Sequence, residues 1–111
     1  MKADELRGHD FLPPPSFLGQ VPPLYATENL PERERLVWIR YFCAPDFEWL
    51  VLEYEPSTGV AFGLADLGHP ELGYFSLREL ADLVALPRPG YPVIVERDLS
   101  WEPKPLSEAR G

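Results

Sequence analysis

Asp66, His69 and Glu71 are the residues whose types and spacing come nearest to chemistry in this chain. Two carboxylates and an imidazole on one loop can ligate a metal or move a proton. Their spacing matches no metal-ligand signature, so a small metal-dependent hydrolase built on them would rest on one histidine. The plainer reading is turn chemistry, with Asp66 and His69 shaping a loop and Glu71 solvated. A second group is acidic: Glu48, Glu53 and Glu55 around one strand, Glu96 and Asp98 near another. If those strands are neighbours, Glu53 lies near Glu96 or Arg97. The plainer reading is a charged, exposed face that protects a sheet edge. His9 has no partner near it in the sequence.

Cys43 is the only cysteine. It lacks the companions of a zinc site or an internal disulfide, and its neighbours Phe42 and Ala44 suit a small core residue. Nucleophilic triads are missing, and Gly59, Gly63, Gly68 and Gly73 are not spaced as a phosphate loop. No cofactor and no metal are expected. Trp38, Tyr41, Trp49, Tyr54, Phe62, Tyr74 and Phe75 would suggest a nucleic-acid stacking platform if bases were interleaved among them. Only Arg40 and Arg78 accompany them, so core packing is the better reading, with some left to form a protein-binding patch.

The elements that must position these residues follow from pattern. Leu36 to Phe42 is β-branched and aromatic and predicts a strand. Ala44-Pro45-Asp46 marks a turn. A second strand from Glu48 to Tyr54 alternates, with Leu50, Leu52 and Tyr54 on one face and Trp49, Val51 and Glu53 on the other. Pro56-Ser57-Thr58-Gly59 turns the chain into a third strand from Val60 to about Asp66. There Ala61, Gly63 and Ala65 are small enough to admit another backbone or a ligand. Residues 68–73 read as a loop, followed by a short strand at Tyr74 and Phe75. Ser76 and Glu79 form a capping box that opens a helix, whose stripe is Leu77, Leu80, Ala81 and Val84. Pro87 stops that helix. Val93 to Glu96 is a last short strand, and Trp101 to Leu106 an extended tail pinned by Trp101. The predicted class is α+β: a small antiparallel sheet, a three-strand meander plus a later strand, with one packed helix. Residues 1–20 read as a proline-rich arm with one helical turn at Asp4–Arg7, and 21–111 as a single domain.

Composition limits the function. Hydrophobic residues make up 45% of the 111, enough for a core. The net charge is −8, and the bases are scattered, so direct nucleic-acid binding is disfavoured. The acidity suits a basic partner or, more plainly, solubility. No apolar run approaches a membrane span, and the charged N-terminus leads into no signal segment, so a cytoplasmic protein is expected. Fourteen prolines cluster in stretches that belong in turns and arms.

Three strings then stand out together: Pro22-Pro23-Leu24-Tyr25-Ala26-Thr27-Glu28, Glu71 through Leu80 (ELGYFSLREL), and Glu96 through Ser107 (ERDLSWEPKPLS). Their order and wording resemble the bacterial family called domain of unknown function 2958, over about residues 21–108. The resemblance implies a small domain often carried on plasmids, phages and integrative elements. It implies no activity and supplies no catalytic residues. It gives weight to Tyr74 and Phe75 as a packing or binding element, to Arg97 as part of a structured strand end, and to Trp101. The expected function is a non-enzymatic protein-binding or accessory module of a mobile genetic element, a monomer or small homo-oligomer with an unknown protein partner. The alternatives are a DNA mimic that blocks a DNA-binding enzyme, and the metal-dependent hydrolase above.

Overall fold

Strand propensity from Leu36 onward does produce sheet, but not as one strand. A computed structural model describes residues 2–43 and 46–110. Two helical turns come first, α1 (Ala3–Leu6) and α2 (Pro15–Leu18), then a 3-10 turn at Glu32–Glu34. The strands β1 (Leu36–Val37) and β2 (Ile39–Cys43) are separated at Trp38. β3 (Phe47–Glu55), β4 (Val60–Asp66) and β5 (Pro70–Ser76) follow, then α3 (Leu77–Asp82). The chain ends in β6 (Val84–Arg88), β7 (Tyr91–Ile94), β8 (Glu96–Arg97), β9 (Lys104–Pro105) and α4 (Leu106–Ala109). The main sheet has five strands in the order β5-β4-β3-β2-β8, all antiparallel. Two small two-stranded pairs, β1-β9 and β6-β7, flank it. The architecture is thus mixed: an antiparallel sheet with a few short helices.

Several expectations are corrected here. The stretch 70–73 is not loop but the first half of β5, paired with β4 along its whole length. The meander therefore has four strands. Helix α3 stops at Asp82, and Val84 belongs to β6 instead of the helix stripe. Pro89-Gly90 is the cause: Gly90 has φ +81, which suits the third position of a turn after proline, and the turn folds β6 onto β7. The predicted strand Val93–Glu96 divides between β7 and β8, which join different sheets. Its neighbour in the main sheet is β2, not β3. The tail past Trp101 is not simply extended but contains β9 and α4. The turn expected at Ala44 and Pro45 lies outside the described residues.

The sheet is covered on both faces. One face carries Ile39, Tyr41, Trp49, Val51, Tyr54 and Ala61, packed under α3 and the N-terminal residues. Ser76 caps α3, its hydroxyl accepting from the Glu79 amide at 3.2 Å. Phe11 stacks on Tyr41 with ring centroids 4.3 Å apart, and the Tyr41 hydroxyl donates to the Phe11 carbonyl at 2.9 Å. Arg7 is buried there and donates to the carbonyls of Val95 and Ala81. The other face carries Val37, Leu50, Leu52, Phe62, Leu64 and Leu72, covered by Trp101, Leu106 and Ala109. Trp101 pins the segment, its indole N–H donating to the Val37 carbonyl at 3.0 Å.

β3 changes sides part-way. The register steps from Val51↔Gly63 to Glu53↔Phe62, so Leu52 is an extra residue on β3. A bulge of one residue reverses the alternation beyond it. Tyr54 therefore joins Trp49 and Val51, and Glu53 joins Leu50 and Leu52, the reverse of the sequence expectation. Gly63 sits at the bulge, where an added Cβ would lie 1.8 Å from the Leu50 carbonyl oxygen. The small residues of β4 admit a neighbouring backbone at this point, and it is the sheet's own.

Two outcomes follow. Gly63→Ala should cost about 3 kcal/mol in urea denaturation, as overpacking against immovable backbone does. Gly73→Ala, with open space around it, should stay within about 0.5 kcal/mol. Burial drives the Tyr41 phenol well above its ordinary value, with Arg97 opposing. The folded state thus favours the neutral phenol. That contribution is complete below about pH 10 and is lost as pH rises further. Thermal melts of Tyr41→Phe should fall less steeply above about pH 10 than those of the parent, and sit about 1 kcal/mol lower at neutral pH for the lost hydrogen bond.

Candidate functional site

The bulge puts a carboxylate where an apolar residue would ordinarily pack. Glu53 is 2% exposed. It is neither a solvated edge residue nor close in register to Glu96 or Arg97, because β8 pairs with β2. A buried carboxylate must find donors. Glu53 takes them from the Pro22–Thr27 segment: the Tyr25 amide donates to Oε1 at 2.8 Å, the Thr27 amide to Oε2 at 2.9 Å, and the Thr27 hydroxyl to Oε2. The Tyr54 amide donates to the Pro22 carbonyl beside them. The segment is held so firmly that Tyr25 adopts φ +73, a left-handed conformation that a tyrosine occupies only when its surroundings impose it.

The result is an aromatic ledge. Glu53, Phe62 and Tyr74 are register partners across β3, β4 and β5. Phe62 and Tyr74 have ring centroids 5.1 Å apart, and the Tyr25 ring is 6.3 Å from Tyr74. Tyr25 and Tyr74 remain 59% and 55% exposed. The Arg35 guanidinium lies 5.8 Å from the Phe62 ring on the same side. A side-chain hydrogen bond with Tyr25 raises the Tyr74 phenol above its ordinary value, and the charges of Glu53 and Glu28 add to this. The ledge therefore offers a neutral Tyr74 phenol and exposed π faces near the carboxylates of Glu53 and Glu28, a surface suited to a cation. It also lies on β5, beyond which no further strand pairs among the described residues.

The other sequence candidates are dispersed. Asp66 accepts from the Gly68 amide at 3.0 Å, closing the turn, and pairs with Arg110 at 3.1 Å. His69 and Glu71 are exposed. No group of three His, Cys, Asp or Glu among the described residues is arranged to hold a metal. Phe75 packs into the core beside α3. Trp101 is engaged with Val37 and lies under Lys104, 4.4 Å from its ring. Arg97 is not a salt bridge between its acidic neighbours; it donates to the Asp10 carbonyl. Those neighbours pair elsewhere, Asp98 with Arg40 at 3.3 Å and Glu96 with His9 at 3.7 Å. Glu48 bridges Arg40 and Arg110, both at 2.7 Å. Cys43 is buried, and burial, with Glu96 nearby, raises its thiol above the ordinary value, so it is not an activated nucleophile. Tyr25 and Glu53 were the residues that motif reasoning left out as a pair. The available signal was a lone glutamate in the apolar run Leu50-Val51-Leu52-Glu53-Tyr54.

A five-stranded antiparallel sheet with short helices and no gathered catalytic set among the described residues defines a small α+β domain with an exposed aromatic edge. The profile of a family described as protein of unknown function (DUF2958) matches residues 26–109, and the chain belongs to that family. No curated protein and no solved structure matches it. No helix among the described residues is long and apolar enough to cross a membrane.

Glu53→Ala should lower stability by about 3 kcal/mol in chemical denaturation, since two amides and a hydroxyl lose their acceptor. The exposed Glu71→Ala should change it by less than about 0.5 kcal/mol.

Proposed function

We propose that this protein is a non-enzymatic binding module that takes an extended basic segment of a partner protein along the β5 edge. The observation that carries this reading is the paired, exposed Tyr25 and Tyr74 held on buried Glu53. Aromatic side chains anchored on a rigid base make strong contacts at little entropic cost. Among the described residues β5 has no strand on its outer side, which leaves its backbone groups open to β-augmentation. Pro70 and Glu71 blunt the same edge against a second acidic copy, and Glu28 and Glu53 favour a cation over the tyrosines. The overall charge of −8 draws a basic partner in the same direction. In this reading the protein serves a mobile genetic element as an accessory that occupies a partner, acting in the cytoplasm.

The alternatives have less support. A DNA mimic needs rows of unpaired carboxylates, whereas Glu48, Asp66 and Asp98 are tied to Arg40 and Arg110. A hydrolase on Asp66, His69 and Glu71 needs those side chains to converge, and Asp66 is spent on Arg110.

The test is fluorescence anisotropy with a short labelled peptide of alternating arginine and valine. Saturable, salt-sensitive binding is expected, weakened about tenfold by Tyr74→Ala and unchanged by Leu99→Ala. No binding, or equal binding by Tyr74→Ala, would sink the proposal.

A further inference from the structure

The ladder between β4 and β5 decides which backbone groups of the edge strand point away from the sheet. Its register runs unbroken from Val60↔Ser76 to Asp66↔Pro70. One step beyond Ser76, the Leu77 amide donates to the Gly59 carbonyl at 2.8 Å, so Gly59 and Leu77 face each other as a hydrogen-bonded pair. Antiparallel pairs alternate between hydrogen-bonded and non-hydrogen-bonded. Glu71, Gly73 and Phe75 therefore bond to β4, while Leu72 and Tyr74 turn their N–H and C=O groups outward. No strand takes those groups among the described residues. Pro70 falls in the outward set without an N–H, and Ser76 caps α3, so the open stretch of edge is short.

A strand added to this edge has its own alternation imposed on it. Its residues opposite Leu72 and Tyr74 form hydrogen-bonded pairs and share the face of the aromatic ledge. The residue between them stands opposite Gly73 on the other face, in a non-hydrogen-bonded pair, where the two chains come closest. At Gly73 that space is open: an added Cβ would meet nothing within 4 Å. Its register partner on β4 is Gly63, so bare backbone continues onto the next strand. Phe75 and Glu71 flank Gly73 on the same face, Phe75 half-buried against the core and Glu71 exposed.

We infer that the partner segment carries an aromatic residue opposite Gly73, next in sequence to the basic residue that lies over Tyr74. The inference rests on the edge-binding reading above and supplies the other half of the partner's pattern. A large flat ring covers the exposed glycine backbone and reaches Phe75 on the diagonal, which valine is too short to do. Across a strand pair such a ring takes the place of the side chain that glycine lacks. Glu71 disfavours an acid at this position, as Glu53 and Glu28 do on the ledge. The recognised class is a short strand of alternating basic and aromatic residues.

Two labelled peptides test this on the full chain, one alternating arginine and phenylalanine, the other arginine and valine. The phenylalanine peptide should bind about fivefold more tightly, as the stronger cross-strand pairs do. Gly73→Ala should narrow that difference, and Gly73→Val, which fills the open space, should erase it with the valine peptide still bound. In amide hydrogen exchange the peptide should newly protect Leu72 and Tyr74, and intermolecular NOEs should join its rings to the Gly73 α protons. Equal affinities in the parent, or a preference that both substitutions leave intact, would overturn the aromatic assignment, while binding still weakened by Tyr74→Ala would keep the edge reading. New protection at Gly73 in place of Leu72 and Tyr74 would overturn the register. Binding of neither peptide would overturn both readings.

Discussion

One extra residue in β3 decides which side chains reach which face of the sheet. Without Leu52 as a bulge, simple alternation would place Glu53 among the core aromatics and Tyr54 under the C-terminal cover. The bulge exchanges them. Glu53 is then able to gather the Pro22–Thr27 segment and hold Tyr25 beside Tyr74. Tyr54 joins Trp49 and Val51 under α3 and the N-terminal residues. Gly63 is the condition for the exchange, since any side chain there would meet the Leu50 carbonyl. The small residue and the bulge are one device, seen from adjacent strands.

A sheet with two apolar faces needs two covers, and the segments that flank it in sequence supply them. The N-terminal residues cover one face through Phe11 and the buried guanidinium of Arg7, which satisfies carbonyls that α3 and the Val95 segment leave open. The C-terminal segment covers the other through Trp101 and Leu106. Ionic contacts from Arg110 to Glu48 and Asp66 then fasten this second cover to the sheet. Exposed pairs of this kind add little individually. Their value lies in geometry: they use up carboxylates that a count of net charge would treat as free.

Local patterns in the sequence read well where the physics is local. β3 and β4 were legible because alternation and β-branching persist over many residues. The start of α3 was legible because Ser76 and Glu79 carry a capping signal. β5 was hidden by Pro70 and Gly73, residues tolerated on an edge strand but ordinarily markers of loop. The early end of α3 was written in Pro89-Gly90, a turn signal outweighed by the attractive stripe through Val84. The bulge had no local mark at all. It depends on how Leu50 and Gly63 meet across two strands, and so the roles of Glu53 and Tyr54 were assigned to the wrong faces. Membership of the DUF2958 family was legible in three short strings, of which the structure brings Tyr25 and Tyr74 from the first two into contact.

The pairing of β1 with β9, Leu36 against Pro105, also sets an order of events. The strands β2 to β5 are joined by short connections and can assemble from local contacts soon after synthesis. The β1–β9 closure spans most of the domain, and loop entropy places such closures late. Until Trp101 and Leu106 have been made, the Leu50 and Leu52 face of a nearly complete sheet has nothing to cover it. A nascent chain at that stage presents an apolar surface to its surroundings, so this domain depends on its final segment for protection from aggregation as well as for stability.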